Sequence, residues 1–395
     1  MVEQLVPADW RAFLGEELDR RAEADLLRDL RTVERDGAWV VTEDGSRLLS
    51  FSSNDYLGLS CHPVVMAAAA DAAMRGAGAT AARLVVGTDP RYRELEVRLA
   101  EFQGTEAALV FGSGYMANVG VIAGLLGRGD AVVSDRLNHA SIVDGCRLSG
   151  ATIHRYGHLD LDELEAMLRR AAREGARRTL IVTESVFGMD GDVASLAEIV
   201  ELKERYGAAL VVDEAHADGV FGPQGQGYAH ELGVADRVDL HVGTFSKAFG
   251  AYGAYVAGDS LWIRSLVNAS RTFVFTTALP PAVIGAVGAA LDVVREAHDL
   301  RVLLRAKASR FRERLTELGL DIGASSTQIV PVVVGESGAA LELSRTLERS
   351  GILAVAIRPP TVPPGAARLR FSLTALHEEH ELDRTLAAIE KALIP

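Results

Sequence analysis

The stretch HVGTFSKAFGAYGAYVAG, residues 241–258, places Lys247 among small and apolar residues just past a short apolar run. Lysine is rarely buried without a partner, so this position asks for an explanation. Similar runs recur upstream: AALVFGSG (107–114), AVVSD (131–135), ATIHRY (151–156), RTLIVTE (178–184) and AALVVDEAH (208–216). Helical patterns such as ASLAEIVELKERY (194–206) separate most of them. Apolar runs without alternation mark strands covered on both faces. The alternation therefore predicts an α/β fold, a mostly parallel sheet flanked by helices.

Outward from this core the pattern changes twice. Residues 10–35 have helical spacing with many charges, and AWVVTEDGSRLLSFSS (38–53) reads as a hairpin around Asp44-Gly45. After about residue 285 a long helix over 282–317 leads to TQIVPVVVG, a helix near 338–350, GILAVAIRPP, ARLRFSL and a last helix from His377. We divide the chain into an N-terminal helix and hairpin segment (1–53), a large unit (54–285) and a smaller C-terminal α/β unit (286–395). No internal repeat or low-complexity linker interrupts them.

Composition narrows the function. The 395 residues are 48% hydrophobic and 24% charged, with a net charge of −13. Such an acidic chain is poorly suited to nucleic acid or to anionic membranes. The N-terminus carries early acids and no apolar core, so no signal peptide is expected. The most apolar long run, 276–294, contains two prolines and Asp292 and reads as a buried helix. Two cysteines, Cys61 and Cys146, imply no disulfide framework, and a cytoplasmic setting is expected. The histidine and cysteine spacings match no metal motif, and no G-x-S-x-G elbow is present.

In open parallel sheets, ligands sit at the carboxyl ends of the strands. There this chain places Gly112-Ser113-Gly114, Asp135 with His139 nearby, Glu184, Asp213 with His216, and Thr244 with Lys247. Each fits a structural role alone: a cap, a tight turn, a core imidazole, a surface lysine. Together they suit one ligand. Lys247 can form an imine with an aldehyde once its pKa is depressed. Asp213 can pair with a protonated ring nitrogen, and His216 can bond a neighbouring ring oxygen. His139 can stack on a flat ring. The glycine turn opening a helix, with Thr244, suits a phosphate. Gly243, Ala248, Gly250 and Gly253 are expected to let the ring approach the backbone. A planar pyridinium aldehyde bearing a phosphate, pyridoxal 5′-phosphate, meets all of these.

These motifs resemble the α-oxoamine synthases, a family of fold-type I pyridoxal-phosphate enzymes. The resemblance covers nearly the whole chain: NDYLGLS (54–60), FGSGYMAN (111–118), NHAS (138–141), TESVFGMDGD (183–192), DEAHADGVFG (213–222), TFSKAFG (244–250) and AIRPPTVPPGAARLRFSLTALH (356–377). It implies a seven-stranded sheet and a homodimer with shared active sites. It implies catalytic roles for Lys247, His139, Asp213 and His216, and a phosphate site from Gly114, Tyr115 and Thr244. Glu184 joins the cofactor-binding set, and Thr276 and Thr277 reach the phosphate of a neighbouring subunit. Arg370 takes the amino-acid carboxylate, with Asn54 on the substrate side, and Arg28 and Arg358 take the far end of the acyl substrate. Arg358-Pro359-Pro360 is most similar to members that condense L-alanine with pimeloyl-CoA or pimeloyl-acyl-carrier protein. Sister enzymes such as glycine C-acetyltransferase vary there. Two departures stand out. The family usually has serine where Gly188 stands, and a histidine is common near Asp89–Tyr92.

Overall fold

The computed structural model describes residues 9–393; the first eight and last two residues of the outer segments lie outside it. The N-terminal hairpin is formed by β1 (Val33–Asp36), β2 (Trp39–Thr42) and β3 (Arg47–Ser50). Its turn closes with Gly45 at φ +82°, a conformation that favours glycine, and Gly45 N donates to Thr42 O.

The large sheet contains β4 (Ala107–Phe111), β5 (Ala131–Asp135), β6 (Thr152–Tyr156), β7 (Thr179–Glu184), β8 (Ala209–Asp213), β9 (Leu240–Thr244) and β10 (Ala254–Gly258). Their order is β4-β10-β9-β8-β7-β5-β6. All run parallel except β10, which is antiparallel to both neighbours. Every residue of β5, β9 and β10 is buried, which explains why these segments lack polar alternation.

Beyond it lie β11 (Ile329–Gly335), β12 (Ile352–Leu353), β13 (Ala356–Ile357) and β14 (Ala367–Ser372). The order β11-β14-β13 makes a three-stranded antiparallel sheet. The short β12 leaves it and pairs in parallel with β3, so the N-terminal hairpin and the C-terminal segment share one sheet.

Two helices differ from expectation. The N-terminal helix spans Trp10–Glu23 rather than 10–35, and Asp25 takes a left-handed φ of +56°. Beyond it, the carbonyls of Asp25 and Leu27 accept from Arg358, and Arg31 pairs with Glu348 at 2.7 Å. These tertiary contacts outweigh helical spacing. The helix expected at 282–317 is two helices, Pro281–Glu296 and His298–Glu317, broken at Ala297. The buried Arg301 donates to Val294 O at 2.6 Å and to Pro223 O at 2.9 Å, satisfying a carbonyl that the break releases. The first of these helices packs against the helices Pro63–Ala73 and Pro90–Gln103, and residues 285–286, expected as a boundary, lie inside it. Among the described residues no helix is long and apolar enough to cross a membrane.

Candidate active site

Strand register assembles the site. Glu184 at the end of β7 faces Asp213 at the end of β8, and Asp213 faces Val242 of β9. Asp213 is 5% exposed. Its Oδ1 accepts from Ala215 N at 2.9 Å and its Oδ2 from Asn118 Nδ2 at 2.6 Å. Asn118 Nδ2 also donates to Ser141 Oγ at 3.0 Å, and that hydroxyl lies 2.7 Å from His139 Nδ1. A hydrogen-bonded chain thus runs Asp213–Asn118–Ser141–His139. Asn118 and Ser141 sit inside helices, outside any strand end, and sequence reasoning missed both as functional residues. The backbone N of His139 donates to Glu184 Oε1 at 2.6 Å, while the His139 ring remains exposed.

Lys247 follows β9 in a turn closed by Gly250 N to Lys247 O at 2.8 Å. Its amine has no hydrogen-bond or ion-pair partner among the described residues. Burial pulls its pKa down to about 8, against the opposing pull of Asp213 and Glu184. Burial and then Asp213 push the Glu184 carboxyl up, with Lys247 opposing. Lys247 is therefore an amine that gives up its proton far more readily than a free lysine, beside the hydrogen-bonded Asp213 carboxylate.

The glycines of the opening stretch serve another purpose than expected. A Cβ on Gly243 would meet Asp218 Oδ2 at 2.0 Å and Tyr255 at 2.3 Å, and one on Gly250 would meet Ser60 N at 2.2 Å. Gly253, at φ +107°, would meet Leu279 and the carbonyl of Phe111. These residues, and the fully buried Ala248, are small because protein packs against them, not to admit a ring.

The helix Gly114–Leu125 starts against β9: a Cβ on Gly114 would lie 3.8 Å from Thr244 Oγ1. Ser113 caps it, accepting from Met116 N at 3.2 Å. The first-turn N–H groups of Gly114 and Tyr115 have no intrahelical acceptor and are available to an anion. The Tyr115 hydroxyl turns away and donates to Asp144 at 2.6 Å. Thr244 is buried and its hydroxyl donates to Gly253 O at 3.1 Å, whereas the exposed Ser246 hydroxyl lies 2.8 Å from it. Ser246, which sequence reasoning passed over, is the more open donor.

On the opposite side, His216 is buried, with Nδ1 2.7 Å from the Tyr56 hydroxyl. A Cβ on Gly188 would lie 2.3 Å from His216 Nε2, so the ring fills the space a serine would need. Arg370 on β14 donates from both Nη atoms to Asn54 Oδ1 at 3.1 Å, from Nη1 to Ser372 Oγ at 2.7 Å, and from Nε to Gly188 O. The second departure is also filled: Asp89 caps the helix Pro90–Gln103, and Arg83 lies 3.8 Å over the Tyr92 ring.

Four expected residues lie apart from this cluster. Arg28 and Arg358, with Arg345, line a cavity of about 640 Å³ between the N-terminal segment and the small unit. Arg28 donates to Thr361 Oγ1 at 3.2 Å. Burial and then Arg28 lower the pKa of Arg358. Thr276 and the exposed Thr277 follow the short helix Arg271–Val274, and Thr277 bridges to Ala82. No described hydrogen bond joins either threonine to this chain's own cluster.

The donor set suits pyridoxal phosphate: a buried carboxylate, an unpartnered amine, an open imidazole face and a helix start with free N–H groups. Comparisons with known proteins agree. The aminotransferase class I and II family model matches residues 46–389. The 8-amino-7-oxononanoate synthase of Anaeromyxobacter dehalogenans is 51% identical over 386 residues, 98% of this chain and 96% of that protein. Serine palmitoyltransferase from S. paucimobilis, solved with a bound PLP-myriocin aldimine, superposes with a TM-score of 0.90 at 31% identity, covering 96% of each chain. The 8-amino-7-oxononanoate synthase of Francisella tularensis superposes at 0.75 and 27% identity, over 87% of this chain and 97% of that one. The chain belongs to the aminotransferase class I and II family, beside the 8-amino-7-oxononanoate synthases.

Proposed function

We propose that the chain is a pyridoxal-phosphate-dependent acyltransferase. It condenses L-alanine with a pimeloyl thioester, of CoA or acyl-carrier protein, giving 8-amino-7-oxononanoate, CO2 and the free thiol, a step of biotin biosynthesis. The observation that carries the reading is the unpartnered Lys247 amine, depressed to about 8, among Asp213, Glu184 and His139. Identity of 51% to an 8-amino-7-oxononanoate synthase, against 31% to a serine palmitoyltransferase, favours this substrate pair over that of a sister enzyme.

Pyridoxal phosphate bound here supplies an electrophilic carbon for the amine and a protonated ring that draws electron density from the substrate carbon. Asp213, fixed on both oxygens by Asn118 and Ala215, would keep the ring nitrogen of the cofactor protonated. His139 would stack on the ring, and Glu184 holds the backbone of His139 in place. Gly114 and Tyr115 would take the phosphate through the helix N–H groups, with Thr244 beside them and its hydroxyl neighbour Ser246 as the open donor. Lys247 Nζ, neutral above about pH 8, accepts the Cα proton of alanine and returns one after the CO2 has left. Arg370 binds the alanine carboxylate and Asn54 orients Arg370. Arg28 and Arg358 receive the distal carboxylate of the acyl chain. Thr276 and Thr277 complete the phosphate site of a second subunit, so the enzyme works as a homodimer, in the cytoplasm.

The test is mass spectrometry of the product after the pyridoxal-phosphate-loaded protein is incubated with L-alanine and pimeloyl-CoA. A product with the mass of 8-amino-7-oxononanoate, with free CoA, is expected. Condensation of glycine with a shorter acyl-CoA instead would move the protein to a sister activity such as glycine C-acetyltransferase.

A further inference from the structure

A closed ring of contacts joins Arg370 to His216. Both Nη atoms of Arg370 donate to one atom of Asn54, and because a guanidinium has only donors, that atom is the amide oxygen. The Tyr56 hydroxyl lies 3.2 Å from the same oxygen and 2.7 Å from His216 Nδ1. The other nitrogen of His216 faces Gly188, whose carbonyl accepts from Arg370 Nε.

The proton in this ring can be placed by counting. The Asn54 oxygen has two lone pairs and Arg370 occupies both. The Tyr56 proton is therefore directed along the shorter contact, to His216 Nδ1. Tyr56 stays protonated, because burial raises its pKa. Burial, then Lys247 and Arg370, hold His216 well below the ordinary histidine value, so its ring is neutral. A neutral imidazole carries one N–H. With Nδ1 accepting, that proton sits on Nε2, the nitrogen that looks past Gly188.

We propose that Tyr56 is a positioning residue that fixes His216 as its Nε2–H tautomer and so makes it a hydrogen-bond donor to the crevice. Tyr56 is fully buried, and its hydroxyl touches only His216 Nδ1 and the Asn54 oxygen among the described hydrogen bonds. Gly188 is the complement: a Cβ there would lie 2.3 Å from Nε2, so a side chain would displace the ring from the place it holds beside Tyr56. The inference rests on the reading in which His216 donates to a ring oxygen of the cofactor.

The tautomer is read without cofactor, from long-range ¹H–¹⁵N correlations of the histidine-labelled full chain, with His216→Gln identifying the signal. We expect Nε2 protonated and Nδ1 bare in the wild type, and a tautomer mixture in Tyr56→Phe. Cofactor titration of the same variant should show roughly tenfold weaker pyridoxal-phosphate binding, the loss of about one hydrogen bond. A wild-type His216 protonated on Nδ1 overturns the proposal. So does a folded Tyr56→Phe protein with an unchanged tautomer or unchanged cofactor affinity. If that variant does not fold, the wild-type spectrum decides alone. An Nε2–H signal in a protein that takes up no pyridoxal phosphate supports the proton placement and overturns the functional reading instead.

Discussion

Asn118 Nδ2 lies 2.6 Å from Asp213 Oδ2, a side chain from a helix interior gripping a carboxylate at a strand end. The bond is buried at both ends, and Ala215 N occupies the other carboxylate oxygen. Asp213 is therefore held in one orientation, ready for the protonated ring nitrogen it would pair with. Hydrogen bonds to charged groups contribute roughly 1.5–3 kcal/mol. Asn118→Ala should weaken pyridoxal-phosphate binding by roughly 10- to 100-fold. Asn118→Asp should be worse, because it sets a second carboxylate against the first. Absorbance titration of the cofactor-free protein measures both, and an affinity within about twofold of wild type for the alanine variant would contradict the assigned role.

Lys247→Ala should abolish turnover, and substantial activity in that variant would rule out its role. The same substitution should not destabilise the cofactor-free protein, because the amine has no partner to lose. The sign follows from its depressed pKa, about 8 in the fold against 10.5 unfolded. Between these values the unfolded chain binds the proton more tightly, so wild-type stability rises with pH. The penalty of the buried ammonium is full below pH 8 and gone above 10.5. Thermal melts should thus show the alanine variant at its greatest advantage near pH 7, fading as the solution becomes alkaline.

Arg370→Lys keeps the charge but loses the fork that reaches Asn54, Ser372 and Gly188 together. We expect KM for L-alanine to rise at least tenfold, with kcat falling as well, since the carboxylate is carried on the carbon that makes the new bond and is itself the group lost as CO2. Steady-state kinetics separates the two. A KM for L-alanine unchanged from wild type would rule out carboxylate binding by Arg370.

Lys247, Asp213 and Glu184 were legible because a polar residue directly after a wholly apolar run has few structural uses in a sheet covered on both faces. Asn118 and Ser141 were not, because a polar residue within a helix carries no local sign of what it reaches across the fold. The strand Ala254–Gly258 was hidden inside the stretch that held the lysine: its run of small residues looks like a loop, and only antiparallel pairing with β4 and β9 gives it an identity. The overlong helices failed for one reason: spacing sees apolar periodicity but not Arg301 or Arg358, whose guanidinium groups satisfy backbone carbonyls where the helices stop.

His158 makes the last prediction. It lies between Asp135 at the end of β5 and Asp192 in the loop after β7, at 3.0 and 2.8 Å, with the Phe187 ring edge-on at 4.5 Å. That loop carries Gly188, so the clasp sets the wall against which His216 packs. Burial alone would lower the His158 pKa, but its hydrogen bonds to the two carboxylates outweigh burial and raise it to about 9 from 6.5. A raised folded-state pKa means the contribution is full below about pH 6.5 and is lost as pH climbs through 9. Its upper size is roughly 3 kcal/mol, so His158→Ala should lower the melting temperature by several degrees at pH 6.5. The gap to wild type should narrow by pH 9.5, where the wild-type imidazole is largely neutral and only its packing remains to be lost. Melting curves of the two proteins at both pH values decide the matter, and a gap that stays constant would mean that His158 holds the loop by shape rather than by charge.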